Sequence, residues 1–328
     1  MKNLFQNKER IFNLINRVKT KDPFYCEHIL LLGDSVGSLT TPDISIVMTA
    51  SNRSLQTYYT ISSIFSQTNT NNIHIVLVDD STDDPIDPEK LRIYTQGTID
   101  FIRIRRENKD WHNPLVNYNI GFQYVRGKHV IIQNAEVFHI GNVCDFVTKN
   151  VTDNRYYVFD VLASMNYEIN NEIYGVPPQT ITTNEIYKKY EINDNIVTWY
   201  QNENNPRNLH FLTAMTRKTF ELIGGFSYDC AFGSWYDDND FLIKIISKRI
   251  EIVNIFHNIY LMGGFHLFHG KSAETWDKNV EMNELTVHCK SILFNETGIY
   301  IDLTDNMETF DYKKNKITRF INGGGYHP

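Results

Sequence analysis

The sequence predicts an α/β protein built on a mainly parallel central sheet flanked by helices. Three observations carry that expectation. Ile73-His74-Ile75-Val76-Leu77-Val78 is a short apolar, β-branched run, which fits a strand buried on both faces of a parallel sheet. The run stops at Asp79-Asp80-Ser81, followed by the loop chemistry of Thr82-Asp83-Asp84-Pro85. A strand and a helix precede it, giving a βαβ unit with its loops at the carboxyl edge of the sheet. In open α/β sheets ligands bind beyond that edge, so Asp79 and Asp80 form a candidate site. Taken alone, the same acids also read as the cap of the next helix.

Composition bounds the class. A chain of 328 residues can bury a large core, and 41% hydrophobic with 22% charged residues suits a globular fold. The net charge of −7 argues against a general nucleic-acid binder, which needs a basic face. It leaves room for a nucleotide bound with the help of a metal. Cys26, Cys144, Cys230 and Cys289 are scattered without a CxxC pair, so neither a disulfide framework nor a zinc site is expected, and a reducing, cytoplasmic setting is. No run approaches the roughly 18 apolar residues of a membrane span, and the N-terminus lacks the apolar stretch of a secretory signal.

The elements follow in order. Residues 1–21 read as an amphipathic helix with Leu4, Ile11, Leu14, Ile15 and Val18 near one face and a basic remainder. A helix docked on the flank of the domain is favoured over one lying on a membrane. Ile29–Leu32 is a short strand, and Ile44–Met48 the first clear one, running into Thr49-Ala50-Ser51-Asn52-Arg53. A helix over 54–67 leads to the Ile73–Val78 strand, and Phe101–Ile104 is a weaker strand. A loop over 107–114 opens a helix with Asn117, Asn119 and Gly121, and Val130–Gln133 is a strand ending in Asn134-Ala135-Glu136. Tyr156–Leu162 reads as one strand, and 166–206 as a long, irregular insertion facing the ligand. Phe211–Met215 is a strand; a helix with Phe220, Leu222 and Ile223 breaks at Gly224-Gly225. A further helix starts within Trp235-Tyr236-Asp237-Asp238-Asn239-Asp240, and three aspartates in four positions exceed what a helix start needs. Ile250–Ile255 is a strand, His266 and His269 follow in a Gly-rich segment, 276–294 is a helix, and the tail at Gly323-Gly324-Gly325 is expected to be mobile.

Four acid- or imidazole-bearing segments thus sit after strands or at helix starts. They are Asp79-Asp80, Asn134-Ala135-Glu136, Asp237-Asp238-Asn239-Asp240, and His266 with His269. Their order resembles the inverting glycosyltransferases of the GT-A fold, family 2. Val78-Asp79-Asp80-Ser81 is similar to the family's Val-Asp-Asp-(Gly)-Ser strand end. Asn117-Tyr118-Asn119-Ile120-Gly121 resembles its Arg-Asn-x-Gly helix. Gly224-Gly225-Phe226 with Asp237-Asp238-Asn239-Asp240 resembles Gly-Gly-Phe…Glu-Asp-x-Asp. In the Pro-Thr-Tyr-Asn-Arg loop only Asn52 and Arg53 match. The resemblance covers roughly residues 43–270. It departs at the metal motif, where Asn134-Ala135-Glu136 replaces Asp-x-Asp and keeps one carboxylate.

The resemblance implies a Rossmann-like nucleotide-binding fold over 43–275, with a nucleotide half at 43–140 and an acceptor half at 141–275. Residues 1–42 and 276–328 then flank it as extensions. It implies transfer of a sugar from a nucleotide-diphosphate sugar, with UDP the commonest donor type, to a hydroxyl acceptor such as a glycan. Thr49, Ala50, Ser51, Asn52, Arg53, Asp79, Asp80, Asn119 and Asn134 would bind the nucleotide, Asp80 toward the phosphates and Asp79 toward base and ribose. Glu136, His269 and His266 would hold Mn²⁺ or Mg²⁺, since imidazole and carboxylate both suit Mn²⁺. Asp238, or failing it Asp237, would be the base; two adjacent acids repel, which helps keep one of them basic. Trp235 and Tyr236 would stack on the acceptor sugar, with Asp240 beside them, although core aromatics give the same pattern. A nucleotidyltransferase is the first alternative, but no Gly-rich loop with a Lys follows Ile44–Met48. An inactive or sugar-binding scaffold is the second, and Asn134 supports it.

Overall fold

The computed structural model describes residues 8–21, 26–33, 41–67, 72–94, 96–174, 197–256, 259, 262–270 and 279–321. The first half runs α1 (Lys8–Lys19), β1 (Cys26–Leu32), β2 (Ile44–Ala50), α2 (Ser54–Phe65), β3 (Ile73–Asp79), α3 (Pro88–Tyr94), β4 (Thr98–Ile104), α4 (Leu115–Phe122), β5 (His129–Gln133), β6 (Val137–Ile140) and α5 (Val143–Asn150). The second runs β7 (Arg155–Phe159), β8 (Val161–Ser164), α6 (Tyr167–Tyr174), β9 (Val197–Gln201), β10 (Leu212–Thr216), α7 (Arg217–Ile223), α8 (Asp237–Ser247), β11 (Glu251–Ile255), β12 (Gly263–His266), α9 (Val280–Thr297) and α10 (Met307–Ile321).

Among the described residues, an eight-stranded sheet has the order β1-β4-β3-β2-β5-β10-β7-β11. Its centre, β4-β3-β2-β5, is parallel, while β1 and β10 run antiparallel to their neighbours. The unbroken apolar run of β3 has its cause here: Val76 and Val78 enter the core on one face, Ile75 and Leu77 the core on the other. Each such side chain, fully buried, contributes about 1.5–3 kcal/mol. Helix α4 lies over the first face so closely that a Cβ on Gly121 would stand 3.0 Å from Val47 and 3.1 Å from Val78. Helix α1 docks on the same face through Ile11, Leu14, Ile15 and Val18, so its apolar stripe serves packing. Val287 and Leu293 of α9 and Phe310 of α10 join that core too.

Several elements depart from the expectation. A second, four-stranded sheet, β6-β12-β8-β9, is absent from the sequence reading. The stretch expected as one strand, Tyr156–Leu162, breaks at Asp160 into β7 of the large sheet and β8 of the small one. Strands β6 and β12 have four residues each, too few for a period to register, and β12 opens on two glycines that weaken any strand signal. Within 166–206, α6 and β9 are ordered elements, and 175–196 lies outside the described residues. Helices α5 and α10 were also unanticipated. The segment 1–7, the residues 276–278 expected to open the late helix, and the glycine tail lie outside the described residues.

Candidate functional site

The parallel register sets Ala50 beside Asp79, so the loops after β2 and β3 leave the sheet together. Asn52, at φ 55°, binds them: its Oδ1 accepts from the backbone N–H of Thr82, Asp83 and Asp84 at 2.8, 2.8 and 3.1 Å. Asn tolerates that left-handed conformation better than most residues. Asp79 is 1% exposed. Its oxygens accept from the N–H of Ser81 at 3.1 Å and Ile86 at 3.2 Å, and Arg103 pairs with it at 3.2 Å. Burial pushes the Asp79 carboxyl up, against those donors. Asp79 therefore shapes the loop, while Asp80 meets cations: Lys109 Nζ and Asn117 Nδ2 donate to its Oδ2, and Arg106 Nη1 donates to its carbonyl at 3.1 Å.

The end of β5 carries the second group. Leu267 N–H donates to the Glu136 carbonyl at 2.9 Å, and the pairing of β12 with β6 carries His266 to the same place. Glu136 Oε1 accepts from Arg53 Nη1 at 2.6 Å and lies 3.3 Å from His266 Nε2 and 3.5 Å from His269 Nε2. Burial pushes the Glu136 carboxyl up, but the Arg53 guanidinium and the two imidazoles outweigh it and hold it well below the usual carboxylate range. Burial wins at His266, whose imidazole is pulled down despite Glu136. Asn134 Nδ2 donates to Glu136 Oε1 at 3.4 Å and its Oδ1 accepts from Tyr118 Oη at 3.3 Å. An aspartate at 134 has no such donor for Glu136.

These residues fit a divalent cation on two grounds. Glu136 Oε2 is buried without a hydrogen-bond partner, which is costly unless something neutralises it. His269 Nδ1 lies 3.1 Å from the Gly270 carbonyl, which only accepts, so Nδ1 carries a proton and Nε2 is the ring nitrogen that faces Glu136. Ligating histidines are held in this way by a backbone carbonyl behind the ring. The loop itself is fixed: Asn170 donates to the Phe268 carbonyl at 2.6 Å and accepts from the Phe268 N–H at 2.9 Å, and Tyr167 Oη accepts from Gly270 N–H at 2.7 Å.

The third group opens α8. Trp235 and Tyr236 both adopt left-handed backbone, φ 65° and 66°, at a cost of about 1–2 kcal/mol each. Asn113 and Asn283 hold that turn by donating to the Trp235 carbonyl at 3.2 and 3.0 Å. Asn113 also donates to Asp237 Oδ1 at 3.3 Å. Burial, then the adjacent Asp238, push the Asp237 carboxyl up to about 6. His210 Nδ1 lies against Asp238 Oδ1, and ligand atoms of His210, Asp237 and Asp238 fall within 4.8 Å of one another. Trp235 is 48% exposed and Tyr236 is partly buried against the core. Tyr118 stands within electrostatic reach of both groups, feeling Glu136, Asp238 and Asp237.

Two expected site residues stand apart. Asn119 spends its amide on the turn after α7, donating to the Phe226 carbonyl at 2.9 Å and accepting from the Phe226 N–H at 3.0 Å. Asp240 is buried on Lys290 Nζ at 2.7 Å and Tyr300 Oη at 3.1 Å. The sequence reading missed Arg106 and Lys109, which lie in and just after a short 3-10 turn without a motif, and His210, which arrives only because β10 runs antiparallel to β5 and so begins at the carboxyl edge.

The sequence matches the model of Glycosyl transferase family 2 over residues 45–234. No curated protein matches it. Among solved structures it is similar to S. aureus TarS at 14% identity and TM-score 0.46, covering 85% of this chain and 43% of that one. The chain thus spans less than half the length of that relative. It is also similar to S. aureus TarS 1-349 in complex with UDP-GlcNAc, at 13% identity and TM-score 0.49, covering 85% and 72%. A third is the mannosyltransferase PcManGT from Pyrobaculum calidifontis in complex with GDP-Man and Mn²⁺, at 12% identity and TM-score 0.42, covering 99% and 84%.

Proposed function

The chain belongs to glycosyl transferase family 2, whose members move a sugar from a nucleotide sugar, and we propose that it does so by inverting displacement, with Asp238 as the base. The observation that carries the reading is the pairing of two acid–imidazole groups at one sheet edge, Glu136 with His266 and His269, and Asp237 and Asp238 with His210. The acceptor oxygen attacks the anomeric carbon, the bond to the diphosphate breaks, and Asp238 takes the acceptor's proton. Asp238 keeps 27% side-chain exposure while Asp237 is buried, which favours Asp238 as the acid that reaches substrate. Arg53, Arg106 and Lys109 supply cations for the diphosphate. Glu136, His266 and His269 are the residues that would hold Mn²⁺ or Mg²⁺, which neutralises charge on a departing diphosphate. Asp79 and Asn119 act through loop and turn structure, and Trp235 offers a face for the acceptor sugar.

One observation favours a variant of this reading. Arg53 already neutralises Glu136 at 2.6 Å, so the diphosphate could be held by arginine and lysine alone. Titration calorimetry with UDP, GDP and CDP, each in Mn²⁺ and in EDTA, separates the two. Binding of one nucleotide only with Mn²⁺ supports the metal-assisted enzyme and names the donor base. Equal binding in EDTA supports the metal-free variant, and no binding of any nucleotide by the folded protein rejects both.

A further inference from the structure

His210 has no counterpart among the motifs that mark the site in the sequence, yet it occupies the centre of the third group. Its side chain is 7% exposed. The ring is gripped edge-on by Tyr118, at 5.1 Å and 86°, and by Phe226, at 4.8 Å and 67°. Both belong to the core under α4, so the imidazole has little freedom to turn. Nδ1 lies against Asp238 Oδ1, and both atoms are buried with no hydrogen-bond partner beyond that contact. The exposure that Asp238 retains is therefore on its remaining atoms, Oδ2 among them.

We infer that His210 is a positioning residue for the base: it takes Oδ1 of Asp238 and leaves Oδ2 alone to face the acceptor hydroxyl. The inference rests on Asp238 being the base. Its physical content is geometric. A carboxylate at the start of a helix can rotate about two torsions, and a base contributes only when its oxygen meets the acceptor proton within hydrogen-bond reach. A buried ring that cannot turn fixes one oxygen and so aims the other, as an orienting partner does for any base. Burial pulls the His210 imidazole down, but Asp238 and then Asp237 outweigh it and raise it, which agrees with close contact. The titratable groups that face the ring are Asp237 and Asp238 on α8 and Tyr118 on α4.

The test compares His210→Phe with His210→Asn. Phenylalanine keeps the aromatic packing and loses the donor; asparagine keeps a donor at the Nδ1 position and loses the packing. The assay follows UDP release from UDP-glucose, UDP-galactose and UDP-N-acetylglucosamine with water as acceptor, using whichever is turned over, and UDP affinity reports folding. A positioning role predicts that H210F lowers kcat about 10²-fold with unchanged KM and UDP affinity, and that H210N stays within a few-fold of wild type. A packing role predicts the reverse order, and that result overturns the inference. NMR titration of the His210 ring supplies an arm free of turnover: its midpoint should fall by about one pH unit in Asp238→Asn, and an unmoved midpoint overturns the pairing. If Asp238→Asn keeps turnover while the midpoint falls, the assignment of the base fails and the pairing stands.

Discussion

Arg53 donates a 2.6 Å hydrogen bond to Glu136, a carboxylate that His266 and His269 also approach. The two residues lie 83 positions apart and meet because the loop after β2 and the end of β5 share a sheet edge. A cation at Oε1 stabilises a buried charge that would otherwise be costly. It also competes with any metal for the same oxygen.

That competition has a measurable consequence. Arg53→Gln should raise Mn²⁺ affinity of the nucleotide-free protein about tenfold, since a charge-assisted hydrogen bond is worth about 1.5–3 kcal/mol. The same change should weaken binding of whichever of UDP, GDP and CDP the protein selects. Electron paramagnetic resonance of free Mn²⁺ measures the first and calorimetry the second. An unchanged Mn²⁺ affinity would mean that the arginine does not guard the carboxylate.

Glu136 and His269 should matter only when metal is present. Glu136→Gln and His269→Ala are expected to reduce nucleotide affinity at least tenfold in Mn²⁺, in line with the loss of one ligand, and not at all in EDTA. Equal loss under both conditions would place these residues in nucleotide binding and not in metal binding.

Asp238→Asn should lower donor turnover about 10²–10⁴-fold, the usual contribution of a general base, with affinity for the selected nucleoside diphosphate near wild type. The amide keeps the shape of the side chain and cannot take the proton. Turnover above a few per cent of wild type would remove Asp238 from that role.

A buried charge network lies beneath α8. Lys290 Nζ meets Asp229 and Asp240 at 2.7 Å each, and Lys244 pairs with Asp302 at 2.5 Å. Burial pushes the Asp229 carboxyl up to about 6 despite Lys290. Lys290→Met leaves carboxylates buried without their cation and should cost about 3–5 kcal/mol. Adding Asp240→Asn should recover part of that loss. Urea unfolding of the single and double variants tests the coupling.

Acid should destabilise the fold through His74. Burial holds its imidazole below 6.5 even though Asp100 accepts from Nε2 at 2.7 Å. The folded ring stays neutral where the unfolded one takes a proton, so stability is complete above pH 6.5 and falls as pH drops through the acid side of that value. Ser45 Oγ contacts His74 Nδ1 at 2.9 Å. Ser45, His74 and Asp100 thus have the order of a hydrolase triad, but Ser45 and His74 are fully buried, so the set is sealed from substrate. Melting temperature should decline between pH 7 and pH 5, and His74→Gln should flatten that slope.

Much of the frame is readable along the chain because its signals are local. The uninterrupted run of β3 demands two covered faces, and the acids after it demand a loop. Those patterns point to the parallel centre and the carboxyl edge, while the family resemblance is what groups Glu136 with His266 and His269. Asp237 and Asp238 also stand out, since three acids in one helical turn exceed what the turn needs.

What the chain could not disclose depends on partners far away in it. Asp79 and Asp80 look equivalent in sequence, yet Ser81, Ile86 and Arg103 engage the first while Lys109 and Asn117 meet the second. Asp240 matches a site motif, yet Lys290, 50 positions on, buries it. His210 carries no signal, and the antiparallel course of β10 alone brings it to Asp238. Residue type and spacing determined which groups are able to do chemistry. Strand direction and long-range charge pairing decided which of them stand open at the sheet edge, because each buried donor that a carboxylate accepts takes up part of the acceptor capacity it could offer a substrate.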